Sequence, residues 1–262
     1  MYRKEEMTVQ RIFVGADVEQ SKNTNIMDNA AEDKAADKQE KSLVTHSLTE
    51  ILDATFQPQL PLIDGMLYEG TYLFAGSPKV GKSFMMAQIA YHVATGTEMW
   101  NMKVHKAPVL YLALEDTYSR IQRRLSRMFN MADADQLHFA IRAKMIHQGL
   151  EEQLLEFLNE HPDTKLVIID TLQKVRKIGD DKTMYGSDYE VINRVKEIAD
   201  RYNLCVLFVH HTRKKKAADV FEEISGSQGL MGAADGAFVM KKKKRTSNQA
   251  TIEISGRAQP DT

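Results

Sequence analysis

Apolar residues in this chain follow two rhythms. TYLFAG (71–76), VLYLALE (109–115), KLVIID (165–170) and LCVLFVHH (204–211) are nearly unbroken apolar runs and predict strands buried on both faces. Between them, SFMMAQIAYHVATG (83–96), SRIQRRLSRMFN (119–130), GLEEQLLEFLNEH (149–161) and SDYEVINRVKEIADRYN (187–203) space apolar residues by three and four and predict helices. The arginines of 119–130 are expected on that helix's outer face. HFAIR (138–142) predicts a short strand, SLTEILDATF a short amphipathic helix ahead of the first strand, and GAFVMK (236–241) with ATIEIS (250–255) a hairpin across KKKRTSNQ. Strand–helix alternation of this kind predicts an α/β fold. Its sheet is mostly parallel and twisted, flanked by helices on both faces and finished by a C-terminal β-hairpin.

The N-terminal texture differs. Residues 17–42 are almost all Asp, Glu, Lys, Asn, Gln, Ser and Ala with no aromatic residue, so they offer little to bury. The expected organisation is a disordered segment over 1–44 and one domain over 45–262. Apolar residues are 43% and charged residues 27% of the 262, enough for a core of ordinary size. Net charge is −1, so attraction to nucleic acid has to come from local patches. The single cysteine excludes an intramolecular disulfide and a multi-cysteine metal site. Apolar runs fall far short of the ~18 residues that span a bilayer, and no apolar signal region opens the chain. A cytoplasmic protein without a membrane partner is expected.

GSPKVGKS, running Gly76, Ser77, Pro78, Lys79, Val80, Gly81, Lys82, Ser83 and leading into Phe84, matches G-x-x-x-x-G-K-[ST] at every fixed position. It lies between a strand and a helix, where backbone N–H groups and the positive helix end converge on an anion. A chance match in this length is on the order of one in a hundred. ATP is the expected ligand, with Lys82 on the β- and γ-phosphates and the Ser83 hydroxyl on Mg²⁺.

Such a loop needs a carboxylate on the metal side at the end of a neighbouring apolar strand, and Asp170 closes KLVIID. LALEDT ends another strand with Glu115 and Asp116. Glu115 is expected to orient and deprotonate the attacking water. Asp116 has two readings, a second site acid or a cap on the following helix. LFVHHT places His210 and His211 at a further strand end, where one of the two contacts the γ-phosphate and relays its loss; adjacent strand residues face opposite ways, and the sequence does not choose between them.

Directly after the histidines, TRKKKAADVFEEISGSQGLMGAADG describes a mobile cationic loop carrying Arg213, Lys214, Lys215 and Lys216. The hairpin tip carries Lys241, Lys242, Lys243, Lys244 and Arg245. Nine of the 35 Lys and Arg thus sit in two short places, a concentration suited to phosphate-backbone contacts without sequence readout. Lysines at a hairpin edge also discourage strand-to-strand aggregation.

Taken together, GSPKVGKS, LALEDT, LVIIDT and LFVHHT, in this order and spacing, resemble the RecA-like ATPases of the AAA_25 type. That group is related to the hexameric plasmid replicative helicase RepA and more distantly to DnaB and RecA. The resemblance covers about residues 45–260 and includes LTEILDATFQPQLPLIDGMLYEG, ATGTEMW and GSQGLMGAADG. It implies a RecA-like core, Gly76–Ser83 as Walker A loop, Asp170 as Walker B acid, Glu115 as catalytic glutamate and the His210–His211 pair as sensor. It further implies a DNA-facing loop after His211, a hexameric ring on single-stranded DNA, and a replication or mobile-element partner protein. Arg257 in ISGRAQPDT matches a basic residue that reaches the neighbouring subunit's nucleotide. Relatives continue past this point, so a C-terminal truncation is expected. Two other functions remain open: an ATP-dependent switch or loader for a protein partner, and a P-loop kinase using Arg120, Arg123, Arg124 and Arg127 as a lid.

Overall fold

The computed structural model describes residues 45–55, 61–129, 134–176, 181–213, 217, 219–224, 227–244, 247 and 249–256, with backbone only at 181–187 and 227–228. The segment 1–44, Lys214 to Lys216, Ser225, Gly226, Arg245 and Arg257 lie outside these residues. The chain divides into two units, one of them Gly15–Gln59. Its described part holds the predicted helix α1 (Leu48–Asp53), closed at its start by a capping box in which Ser47 and Glu50 each accept the other's backbone N–H.

The other unit, from Leu60 onward, holds one seven-stranded sheet. Its strands are β1 (Gly70–Gly76), β2 (Val109–Ala113), β3 (Leu137–Ala140), β4 (Leu166–Asp170), β5 (Cys205–His211), β6 (Gly236–Lys241) and β7 (Thr251–Gly256). Their order is β3-β2-β4-β5-β1-β6-β7. All neighbours pair in parallel except β6 and β7, the predicted hairpin.

Period-two alternation splits the core in two. Tyr72, Phe74, Tyr111, Ile168, Leu207 and Val209 face one side, covered by α2 (Lys82–Thr95) through Met85, Met86, Ile89 and Val93 and by α3 (Tyr118–Phe129) through Ile121. Leu73, Leu112, Ile169 and Phe208 face the other. There they meet α4 (Leu150–Glu160), α5 (Leu172–Val175), α6 (Asp181–Tyr202) and α7 (Ser227–Ala233). Each fully buried Leu, Ile or Phe of these layers contributes about 1.5–3 kcal/mol. The sheet edge at the carboxyl ends of the strands is thereby held from both faces.

Three details depart from expectation. Helix α6 begins at Asp181, earlier than predicted, and runs through Gly186. The supposed mobile loop GSQGLMGAADG contains α7, because Leu230, Ala233 and Ala234 bury against the core; that burial outweighs the roughly 1 kcal/mol that each of Gly229 and Gly232 costs in a helix. A β-bridge between Thr212 and Ile224 further closes the segment after β5. Finally, the arginines of α3 do not all face outward: the Arg124 side chain is only 17% exposed, drawn in by Asp116.

Candidate active site

Gly76 is the last residue of β1 and Lys82 the first of α2, so the phosphate-binding loop spans the turn between them. Gly81 has φ +115°, a conformation that an L side chain rarely adopts. At Gly76 the need is space: a Cβ there would lie 2.8 Å from the Met240 carbonyl oxygen and 3.0 Å from Val80 Cγ1. Strand β6 thus packs directly against the loop.

The Lys82 ammonium is folded back into the loop. It donates to Gly76 O at 2.7 Å and Ser77 O at 3.2 Å, and lies 3.2 Å from His211 Nδ1. Burial lowers its pKa to about 8, against the opposing pull of Asp170 and Glu115. The ammonium is thus held mainly by neutral acceptors, with the two carboxylates of Asp170 and Glu115 acting on it electrostatically.

Asp170 ends β4 on the α2 side of the sheet and is 6% exposed. Burial raises its pKa, while hydrogen bonds from the Ser83 and Tyr111 hydroxyls oppose the rise; Tyr111 Oη donates to Oδ2 at 3.0 Å. The Asp170–Thr171 peptide bond is cis. Glu115 stands just past β2 and accepts from Thr171 Oγ1 at 3.2 Å. Asp116 is engaged otherwise. Its Oδ2 accepts from Arg124 Nη2 at 2.6 Å, its Oδ1 accepts the Thr117 N–H at 3.0 Å, and Arg120 lies 3.9 Å away. The Arg124 guanidinium also covers the exposed Phe84 ring at 5.1 Å.

Sheet order separates the two histidines. Strand β5 lies beside β1 with Gly76 opposite His211, and β5 alternation turns His211 to the loop side with Leu207 and Val209. His210 falls on the opposite side with Val206 and Phe208, 6% exposed. Burial first, and the Lys82 charge second, lower the His211 pKa, which favours the neutral ring; with Lys82 as donor, Nδ1 accepts.

Lys82, Ser83, Glu115, Asp170 and His211 therefore meet at one end of the sheet, while His210 and Asp116 do not join them. Of the basic residues, Lys241 is paired with Glu223 at 3.4 Å, and Lys243 and Lys244 are exposed. Thr171 closes the LVIIDT motif but has no role assigned by the sequence, and nothing there marks Tyr111, although period two puts Tyr111 on the side of Ala113 and a buried tyrosine needs a partner for its hydroxyl. Among the described residues, no helix is long and apolar enough to cross a membrane.

A family model for AAA_25, described as an AAA domain, matches residues 38–217. Among solved structures, one ATPase domain is similar with a TM-score of 0.58 and 14% identity, over 74% of this chain and 79% of that one. A KaiC-like protein from the hyperthermophilic archaeon Pyrococcus horikoshii OT3 is similar with a TM-score of 0.55 and 14% identity, over 79% of this chain and 90% of that one. At such identities the likeness is one of fold, and the fold is RecA-like, a mostly parallel sheet flanked by helices. No curated protein matches the chain.

Proposed function

The chain belongs to the AAA_25 family of AAA domains, and on that premise we propose that it is a Mg²⁺-dependent ATPase acting on single-stranded DNA, a replicative-helicase-like motor of the RepA type. The observation that carries this reading is the meeting of Lys82, Ser83, Glu115, Asp170 and His211 at one sheet edge.

Hydrolysis needs a water oxygen to bond to the γ-phosphorus as the bond from that phosphorus to the β–γ bridging oxygen breaks. Glu115 orients the water and takes its proton. Lys82 leaves the Gly76 and Ser77 carbonyls and offsets charge on the phosphates. Ser83 and Asp170 bring a hydroxyl and a carboxylate together, as their hydrogen bond indicates. These hard oxygen donors suit Mg²⁺ and would hold it. When bound, the ion neutralises charge on the β- and γ-phosphate oxygens.

His211 is the sensor of the pair. Phosphate loss alters the Lys82 position, and His211 touches Lys82 directly. The next residue, Thr212, donates its N–H to Gly76 O at 3.4 Å, and the Arg213 N–H donates to Glu223 O at 2.6 Å. This chain of contacts runs from the loop to the base of the cationic segment Arg213–Lys216, and Glu223 also holds Lys241 at the base of the second basic run. In an assembled ring, Arg257 would act on the neighbouring subunit's nucleotide.

Salt dependence of single-stranded DNA binding tests the DNA part. Each neutralised phosphate contributes about 0.7 to the slope of log K against log[salt]. Replacing Lys242, Lys243 and Lys244 by Gln is expected to reduce the slope by about 2. An unchanged slope and affinity, with ATP turnover intact, would favour a switch acting on a protein partner. The Glu223–Lys241 ion pair, which removes one charge from the set, is the observation on that side.

A further inference from the structure

Each acid of the site is held by a hydroxyl that belongs to the other acid's strand. Tyr111, on β2, donates to Asp170 Oδ2 at the end of β4 at 3.0 Å. Thr171, immediately after β4, donates to Glu115 Oε1 beyond the end of β2 at 3.2 Å. The two bonds cross at the last rung of the β2–β4 ladder, where Ala113 pairs with Asp170 and the Leu114 N–H donates to Asp170 O at 2.8 Å.

Packing alone does not call for these hydroxyls. Tyr111 is 1% exposed on a strand face it shares with Val109 and Ala113, and phenylalanine would fill its volume. Thr171 is 2% exposed, and valine has its shape. What the hydroxyls add is direction. Tyr111 and Ser83 together occupy the buried Asp170 carboxylate and stop it turning about its last torsion. Glu115 lies past the strand end on a longer side chain, and the Thr171 hydroxyl holds one of its oxygens.

Resting on the ATPase reading, we propose that Tyr111 and Thr171 are a reciprocal pair of positioning residues. Tyr111 fixes the metal-side carboxylate, and Thr171 fixes the general base. Because each reaches across to the opposite strand, the separation of the two acids is set by the β2–β4 ladder rather than by either side chain alone. The two hydroxyls therefore have separable effects, one on metal affinity and one on turnover.

The test compares Tyr111→Phe, Thr171→Val and Thr171→Ser with the wild-type chain. Mn²⁺ affinity is read by electron paramagnetic resonance on protein saturated with a non-hydrolysable ATP analogue, and kcat is read at saturating Mg²⁺ and ATP. Loss of an outer-shell partner weakens metal binding by about 10–100-fold. Tyr111→Phe is thus expected to weaken Mn²⁺ about tenfold or more. Thr171→Val is expected to leave Mn²⁺ affinity within about twofold yet lower kcat about tenfold, a part of the roughly 10²–10⁴-fold that a general base contributes, and Thr171→Ser to restore kcat. Wild-type Mn²⁺ affinity in Tyr111→Phe overturns the proposal, as does equal loss of affinity and kcat in Thr171→Val or no rescue by serine. Should Tyr111→Phe fail to fold, the Thr171 pair decides alone. A wild-type chain that neither binds Mn²⁺ with the analogue nor turns over ATP overturns the ATPase reading as well, whereas an active wild type with unaffected variants overturns this inference only.

Discussion

Lys82→Met is expected to move function and pH-dependent stability by amounts that the structure sets. The Lys82 pKa is lowered to about 8 from 10.5 by burial. Between these values the unfolded chain binds more protons than the folded one, so this group makes stability rise with pH. Its contribution is full above the unfolded value and is lost as pH falls to about 8. At roughly 1.4 kcal/mol per pH unit, the rise between pH 7.5 and pH 10 is about 2 kcal/mol. Methionine keeps the volume and removes the titration. Urea unfolding of both chains without nucleotide should therefore show the wild type gaining about 2 kcal/mol on the variant across that interval. The variant's ATP turnover should fall at least ~100-fold, the usual cost of losing one preorganised donor to developing charge. Parallel stability profiles would refute the claim that the loop holds an undercompensated buried ammonium. Normal turnover would refute its placement on the phosphates.

Glu115→Gln should bind ATP with near wild-type affinity and hydrolyse it about 100-fold or more slowly, measured by filter binding and single-turnover kinetics. Gly76→Ala puts a methyl 2.8 Å from a backbone oxygen of β6; overpacking of this kind should cost about 1–3 kcal/mol in chemical denaturation and weaken nucleotide binding. The His138 pKa is lowered by burial and by the neighbouring His161, whose ring centre lies 4.3 Å from its own in a tilted contact, with Phe157 edge-on beside it. A pKa lowered in the fold gives stability that is present above the unfolded value of about 6.5 and is lost as pH falls below it. His138→Phe should flatten the stability profile between pH 7 and pH 5; an unchanged profile would show that the pair does not couple to folding.

The strands and the phosphate cradle were legible because each is local. An unbroken apolar run such as LVII already reports a strand covered on both faces, and GSPKVGKS carries its own glycines. The choice between His210 and His211 was not local. Alternation says only that they face opposite ways; that His211 is the one beside Lys82 follows from β5 lying beside β1 with His211 opposite Gly76, and from α2 covering that face. Arg124 misled for a similar reason, since helical periodicity places it outward until Asp116, fixed at the end of β2, draws it in. The two glycines of α7 suggested a loop, and tertiary burial of Leu230 overrode them. Tyr111 resembled an ordinary core aromatic because its partner, Asp170, lies 59 positions away in sequence.

The central claim, that this site hydrolyses ATP in an assembled motor coupled to DNA, is tested most directly by the steady-state ATPase rate with and without single-stranded DNA over a range of protein concentration. Stimulation by DNA and a specific activity that rises with concentration are expected, as an arginine supplied by a neighbouring subunit requires. A rate indifferent to both DNA and concentration would contradict it.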